Sequence, residues 1–228
     1  MTTAPHRPAP TPSDATPRSL TGVWQRRSLS IDGGPAHEVA TVLWLQVGRH
    51  YLDIRATDRP GLLSGPGVFA GTTTWRAPSL TWHHHLDSAH VERGGSGPAT
   101  DEIAADTAVL TLSGGTVVER GSFTQAGRTI SYVEVWRRLA GPGDIAVATA
   151  HGSYATPGGA GRAVRIGDHR AAITVDPGRG AWAGVVERLT AGVWELVVQV
   201  GDHRLVPPLL AHRDEPHLPV DPHLAAAP

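Results

Sequence analysis

Thr41-Val42-Leu43-Trp44-Leu45-Gln46-Val47, then Gly48-Arg49, then His50-Tyr51-Leu52-Asp53-Ile54-Arg55-Ala56: two alternating runs meet at a glycine-led turn. Alternation of period two matches a strand, and a short Gly-containing link between two such runs predicts a β-hairpin. Successive side chains of a strand point to opposite faces. Trp44 and Gln46 therefore share one side, Tyr51, Asp53 and Arg55 share another, and Leu52 and Ile54 lie opposite the latter. One face is ordinary core. The other combines aromatic rings with ionisable groups.

The pattern recurs further along the chain. Residues 79–87 offer Leu80, Trp82, His84 and Leu86 on one face and Thr81, His83, His85 and Asp87 on the other. Residues 129–139 carry Tyr132, Glu134 and Trp136 at spacing two. Acids, bases and aromatics repeated on several strands predict the polar lining of a barrel or sandwich, and hence a small-molecule site.

Turn signals at Asp32-Gly33-Gly34, Ser113-Gly114-Gly115, Ala126-Gly127, Gly167-Asp168 and Gly201-Asp202 divide the rest into short runs. Strands are predicted over 22–31, 39–47, 50–56, 67–75, 79–87, 107–112, 116–124 and 129–139. A second set is predicted over 145–151, 162–167, 170–175, 181–188, 192–200 and 203–206. The first set is about the number that closes a one-ligand barrel. Only 101–108 hints at a helix, and the Gly-rich, charged segment 88–106 reads as a long loop able to act as a lid. Gly141-Pro142-Gly143 is the best internal boundary. The expected organisation is an N-terminal tail at 1–18, a barrel over 19–140, a β-rich part over 144–206 and a Pro-rich tail at 207–228. The β-rich part is expected to pack on the barrel or close it, as an extension of the first sheet or a second half-barrel.

Composition narrows the function classes. Hydrophobic residues make up 40% and charged residues 18% of the 228, a globular balance. A net charge of −1 points away from nucleic acid and anionic membrane as partners. All 20 basic residues are arginine, which excludes a lysine Schiff base. The absence of cysteine excludes disulfides, thiolate nucleophiles and Cys-ligated metal. Residues 1–18 lack an apolar signal-peptide core and no run has the length of a membrane span, so a soluble, cytoplasmic protein is expected.

Leu20-Thr21-Gly22-Val23-Trp24 resembles the Gly-x-Trp opening strand of the lipocalin and calycin superfamily. The resemblance covers about residues 20–140. It implies an antiparallel barrel in which the Trp closes one end and an Arg from a late strand packs across it. Tyr132-Val133-Glu134-Val135-Trp136-Arg137-Arg138 supplies candidates for that Arg. Lacking signal peptide and disulfides, the chain is closer in kind to intracellular relatives such as the fatty-acid-binding proteins and the haem-binding nitrobindins. The order Trp-Leu-Gln, Asp-x-Arg, Trp-His, Tyr-x-Glu-x-Trp-Arg is also similar to uncharacterised bacterial calycin-like proteins, which brings a shared pocket and no reaction.

Several readings of the candidate residues stand side by side. Asp53 and Arg55 form either a structural ion pair or a ligand anchor in which Arg55 holds a carboxylate or carbonyl. His83 and His85 are structural, or acid–base catalysts tuned by Asp53 or Glu134, or two ligands of a metal whose third ligand spacing does not supply. A haem reading needs one axial His, from His50, His83, His84 or His85, but the inferred lining is polar for a porphyrin slot. Trp44, Gln46, Tyr51, Trp82, Tyr132 and Trp136 wall a pocket or form an aromatic core. The leading expectation is a cofactor-free, metal-free barrel that binds a partly apolar organic ligand. The alternatives are a lyase, isomerase or cyclase in the same pocket, a haem- or metal-binding barrel, and a module docking a protein on its sheet edges.

Overall fold

In a computed structural model, residues 16–57, 65–95, 102–141, 149–156 and 159–205 are described. Eight strands close an antiparallel barrel. They are β1 (Gly22–Ile31), β2 (Thr41–Val47), β3 (His50–Ala56), β4 (Gly67–Arg76), β5 (Ser79–Asp87), β6 (Ala104–Ser113), β7 (Thr116–Gln125) and β8 (Arg128–Ala140). Each pairs with the next, and β8 returns to β1 with Trp24 opposite Arg138 and Leu29 opposite Glu134. A short helix α1 (Ser88–Glu92) follows β5, capped by the Asp87 side chain, which accepts from the Ala89 and His90 amides.

Five more strands form a second antiparallel meander in chain order. They are β9 (Thr149–Thr156), β10 (Gly159–Ile166), β11 (His169–Asp176), β12 (Ala181–Thr190) and β13 (Val193–Gly201). Of the expected arrangements, this meander packs on the barrel as a separate sheet. It lies on the barrel's outer wall, where Leu43, Leu45, Leu52, Ile54 and Val68 share one apolar cluster with Val164, Ile166, Ala171, Ile173 and Val186. At roughly 1.5–3 kcal/mol for each fully buried aliphatic side chain, this seam is a main source of stability. A second cluster fills the barrel: Trp24, Trp44, Tyr51, Leu80, Trp82 and Trp136 with smaller neighbours. The β2–β3 hairpin is thus buried on both faces, whereas outward residues of β6 such as Thr107 and Val109 meet solvent.

Three expectations change. Residues 104–108 are strand, not helix, because Ala108 and Leu110 alternate into the barrel and both edges of β6 are paired. Residues 203–205 are one turn of 3-10 helix, in which the Leu205 amide meets the Asp202 carbonyl at 2.9 Å and the Asp202 carboxylate takes the Arg204 amide at 3.0 Å. The 88–106 loop contains α1 and the start of β6, while 96–101 lie outside the described residues. Most of both tails (1–15 and 206–228) and 142–148, which hold the rest of the Gly-Pro-Gly boundary, also lie outside them.

One irregularity interrupts the inward phase of β5. The β4–β5 register slips between Ala70↔Leu86 and Gly71↔His84, leaving His85 as the extra residue of a bulge. His84 keeps the inward phase of Trp82, and the bulge switches the phase after it, so that Leu86, two residues on, packs into the outer seam. Gly71 makes room for the bulge: a Cβ there stands 1.7 Å from the His83 carbonyl oxygen. Gly71→Ala is expected to cost about 2 kcal/mol or more, read as a fall in the midpoint of urea unfolding. A variant as stable as the parent would show that the bulge can re-register.

Candidate functional site

The barrel holds a cavity of about 360 Å³, at the small end of small-molecule sites. Trp44 is its aromatic hub. Its ring lies 5.9 Å from Trp24, 5.8 Å from Trp82 and 5.7 Å from Trp136, the last two edge-on. Trp24 closes the end below, donating its indole N–H to the Leu20 carbonyl at 2.8 Å. The Arg138 guanidinium lies 4.5 Å above that ring, the packing implied by the Gly-x-Trp resemblance. Gln46 does not line the cavity. It is fully buried beneath it, accepting from Trp44 Nε1 at 3.0 Å and donating to the Gly48 carbonyl and Thr73 Oγ1.

The walls bring together most of the residues expected from the sequence. β3 contributes Tyr51, Asp53 and Arg55, β5 contributes Trp82, and β8 contributes Tyr132, Glu134 and Trp136. Arg55 Nε donates to Asp53 Oδ1 at 2.7 Å, and its guanidinium lies 5.0 Å over Phe69. Both members of the pair are largely buried, at 18% and 10% exposed. Burial works against the Arg55 charge, but Asp53, Glu134 and Glu119 more than offset it and raise its pKa.

His83 and His85 are not in the cavity. The inward phase of β5 is Leu80, Trp82 and His84. His83 faces outward between Glu102 (2.6 Å) and Thr74 (2.9 Å). His85 Nδ1 meets Arg162 of the second sheet at 3.0 Å. Among the described residues no set of three His, Asp or Glu side chains is arranged to hold a metal.

The imidazole that does line the cavity is His84. Its Nδ1 lies 3.2 Å from Asp87 and its Nε2 3.1 Å from Asp106. With a carboxylate at each nitrogen the ring carries both protons. Burial pulls its pKa down, but the bonds to Asp106 and Asp87 prevail and hold it at about 9. Asp106, 65% exposed, stands where the cavity meets solvent.

β7 supplies a carboxyl that the sequence reading passed over. Glu119 accepts from the Tyr132 hydroxyl and from Trp136 Nε1, each at 3.0 Å. Burial and the neighbouring Glu134 charge push it up to about 8, against the pull of those bonds and of Arg55. At neutral pH Glu119 is therefore protonated. Glu134 is raised as well by burial, although Arg26 of β1 opposes this. Arg26 is completely buried and bridges two acids, Glu134 Oε1 and Glu38 Oε2, at 2.6 Å each. One lining group is unsatisfied: the buried Tyr51 hydroxyl has no hydrogen-bond partner among the described residues.

Signals for the missed residues existed in part. Glu119 stands two after Val117, on the inward phase of a correctly predicted strand, and Arg26 stands two after Trp24. His84 shares the phase of Trp82, and adjacent residues such as Trp82 and His83 cannot both face one lumen. Asp106 lay inside the segment expected to be loop or helix.

Likeness to known folds is now interpretable. A solved structure of an uncharacterised protein, YLR301w, from Saccharomyces cerevisiae is 15% identical with a TM-score of 0.58, over 79% of this chain and 85% of that one. Another, an uncharacterised protein from Bacteroides eggerthii, is 15% identical with a TM-score of 0.35, over 52% of this chain and 98% of that one. The comparison with curated proteins finds no match. Among the described residues no helix is long and apolar enough to cross a membrane. The family model described as "Protein HRI1" matches residues 22–225, nearly the whole chain, which therefore belongs to that family.

Proposed function

We propose that this protein is a calycin-like binding barrel for a small, partly apolar molecule whose head group is cationic or donates hydrogen bonds. The observation that carries the reading is the excess of acid around an indole-walled cavity. Asp53, Asp106 and Glu134 in its wall, with Asp87 behind His84, stand against Arg55 and His84, with Arg26 behind Glu134. Burial first, and then the Glu134 charge, push Glu119 up to about 8. Arg55, engaged by Asp53 and facing two further acids, is a poor anchor for an anionic head. A cation on Trp82 or Trp136 gains from the ring faces as well as from the carboxylates. The Tyr51 hydroxyl offers one more polar contact.

The test is a tryptophan-fluorescence titration with two probes of similar size and opposite charge, phenethylamine and 3-phenylpropionate. Saturable quenching is expected with the amine, at least about tenfold tighter than with the acid, a difference of about 1.4 kcal/mol. Trp82→Leu is expected to weaken it by a similar factor. Equal or tighter binding of the acid sinks the charge assignment, and no response to either sinks the binding reading.

A second reading, an acid–base enzyme of the lyase, isomerase or cyclase type, is favoured by one feature: Glu119 is a lining carboxyl, bonded to Tyr132 and Trp136, that burial and Glu134 push up to about 8. It would act as the proton donor. Turnover of a substrate identified by native mass spectrometry would then be lost in Glu119→Gln while binding survives.

A further inference from the structure

Outside the barrel a second polar cluster has the opposite sign. It sits where the β2–β3 turn, β4, β5 and β10 meet. Arg162 projects from β10 and donates from Nη2 to His85 Nδ1 at 3.0 Å. An arginine is always protonated, so His85 accepts there and is neutral. Its other nitrogen, Nε2, carries the proton and faces Thr72 Oγ1 at 3.5 Å. Burial, then the charges of Arg162 and His83, hold the imidazole below its ordinary range, which agrees with that tautomer.

Arg49 belongs to the same cluster. Its carbonyl accepts from the Thr73 amide at 2.7 Å, which fixes the turn beside Thr72, and its charge is felt by both His85 and Arg162. Neither Arg49 nor Arg162 makes an ion pair among the described residues. The nearby acid, Glu102, is held by His83 at 2.6 Å. Arg162 Nη1 is buried and has no acceptor among the described residues. No carboxylate is among the groups that act on its charge.

Buried cations are ordinarily paired, and a buried N–H without an acceptor costs about 1–3 kcal/mol. Here an exposed arginine, on a turn tied by its carbonyl to Thr73, neighbours a second arginine whose Nη1 lacks an acceptor, beside an imidazole and a threonine hydroxyl that face each other. We infer that Arg49, Arg162, His85 and Thr72 form a site for a small oxyanion, a phosphate, sulfate or carboxylate group, in the seam between barrel and second sheet. Arg162 takes the anion on the Nη1 edge left free by His85, and Arg49 closes over it from the solvent side. None of these four residues lines the lumen.

The test uses the full chain and thermal unfolding with sodium phosphate, sulfate or acetate, each against sodium chloride at matched ionic strength. Phosphate near tenfold above its dissociation constant is expected to raise Tm by about 3 °C over chloride. The order of the three salts reads which head group the site prefers. Arg162→Gln keeps a donor for His85 and removes the charge, so it is expected to lose the shift and to melt no lower than the parent in chloride. Arg49→Gln, at an exposed turn, is expected to lose most of the shift without harm to the fold. Arg120→Gln, on exposed β7, keeps it. The inference is overturned if no oxyanion exceeds chloride, if either variant keeps the full shift, or if Arg162→Gln melts several degrees lower in chloride, which would make Arg162 a structural donor only.

Discussion

Glu119→Gln is expected to remove a large part of a pH dependence that makes the parent protein weaken steadily from pH 5 to pH 9. An ordinary Glu titrates near 4.5, and in the fold Glu119 titrates at about 8. Between those values the unfolded chain has released the proton and the folded chain has kept it. The folded state binds more protons there, so stability falls as pH rises. His84 adds to the same trend: its ordinary value is 6.5 and its folded value about 9, so the stability it lends is complete below 6.5 and lost through 9. Each group contributes a slope of at most about 1.4 kcal/mol per pH unit. Asp87 and Asp106 are lowered and act oppositely, withdrawing stability as pH falls through their folded values. The optimum is therefore expected near pH 5. A glutamine at 119 keeps one acceptor and gives up the other, so the variant is expected to be about 1 kcal/mol weaker at pH 5. At pH 9 it is expected to be about 1–3 kcal/mol more stable than the parent. Urea unfolding followed by tryptophan fluorescence at pH 5, 7 and 9 reads both numbers. An unchanged slope in the variant would mean that Glu119 ionises like a surface carboxyl.

Arg26→Met is expected to cost about 3–5 kcal/mol, the effect of stranding a buried partner without its counter-charge. Glu134 is 4% exposed and loses the guanidinium that bonds it at 2.6 Å, whereas Glu38, 16% exposed, keeps the Val39 and Ala40 amides and some water. Adding Glu134→Gln to Arg26→Met is therefore expected to restore most of the loss. If the double variant is as weak as the single one, the Arg26 stem matters through packing and not through charge. The comparison needs only midpoints and slopes from urea unfolding of four proteins.

Much of the architecture was legible because alternation and turn chemistry are local. The hairpin over 41–56 and the limits of 22–31 and 79–87 follow from residues that sit side by side. What alternation cannot carry is phase across a bulge. His84 and Leu86 have the same parity, yet one faces the lumen and the other the second sheet, because His85 is an extra residue. Choosing the inward face of 79–87 by its polarity selected His83 and His85. Choosing it by continuity with Trp82 selects His84. Arg26 was hidden for another reason. Gln25-Arg26-Arg27 reads as a solvated run, and its partner Glu134 stands 108 residues later. Only the closure of β1 on β8 makes the pair, and ring closure has no local signature.

The β2–β3 hairpin is a party wall. The same short stretch of backbone presents Trp44, Asp53 and Arg55 to the lumen and Leu43, Leu52 and Ile54 to the second sheet. The two halves of the chain are therefore poor units for exchange by recombination. A barrel transplanted alone would carry an uncovered aliphatic strip, and a foreign sheet laid on it would have to match that strip residue by residue. Any drift in the second half of the gene that shifts the wall is felt by the lumen, so sequence change in the two halves is tied together although, among the described residues, one half contributes no side chain to the cavity.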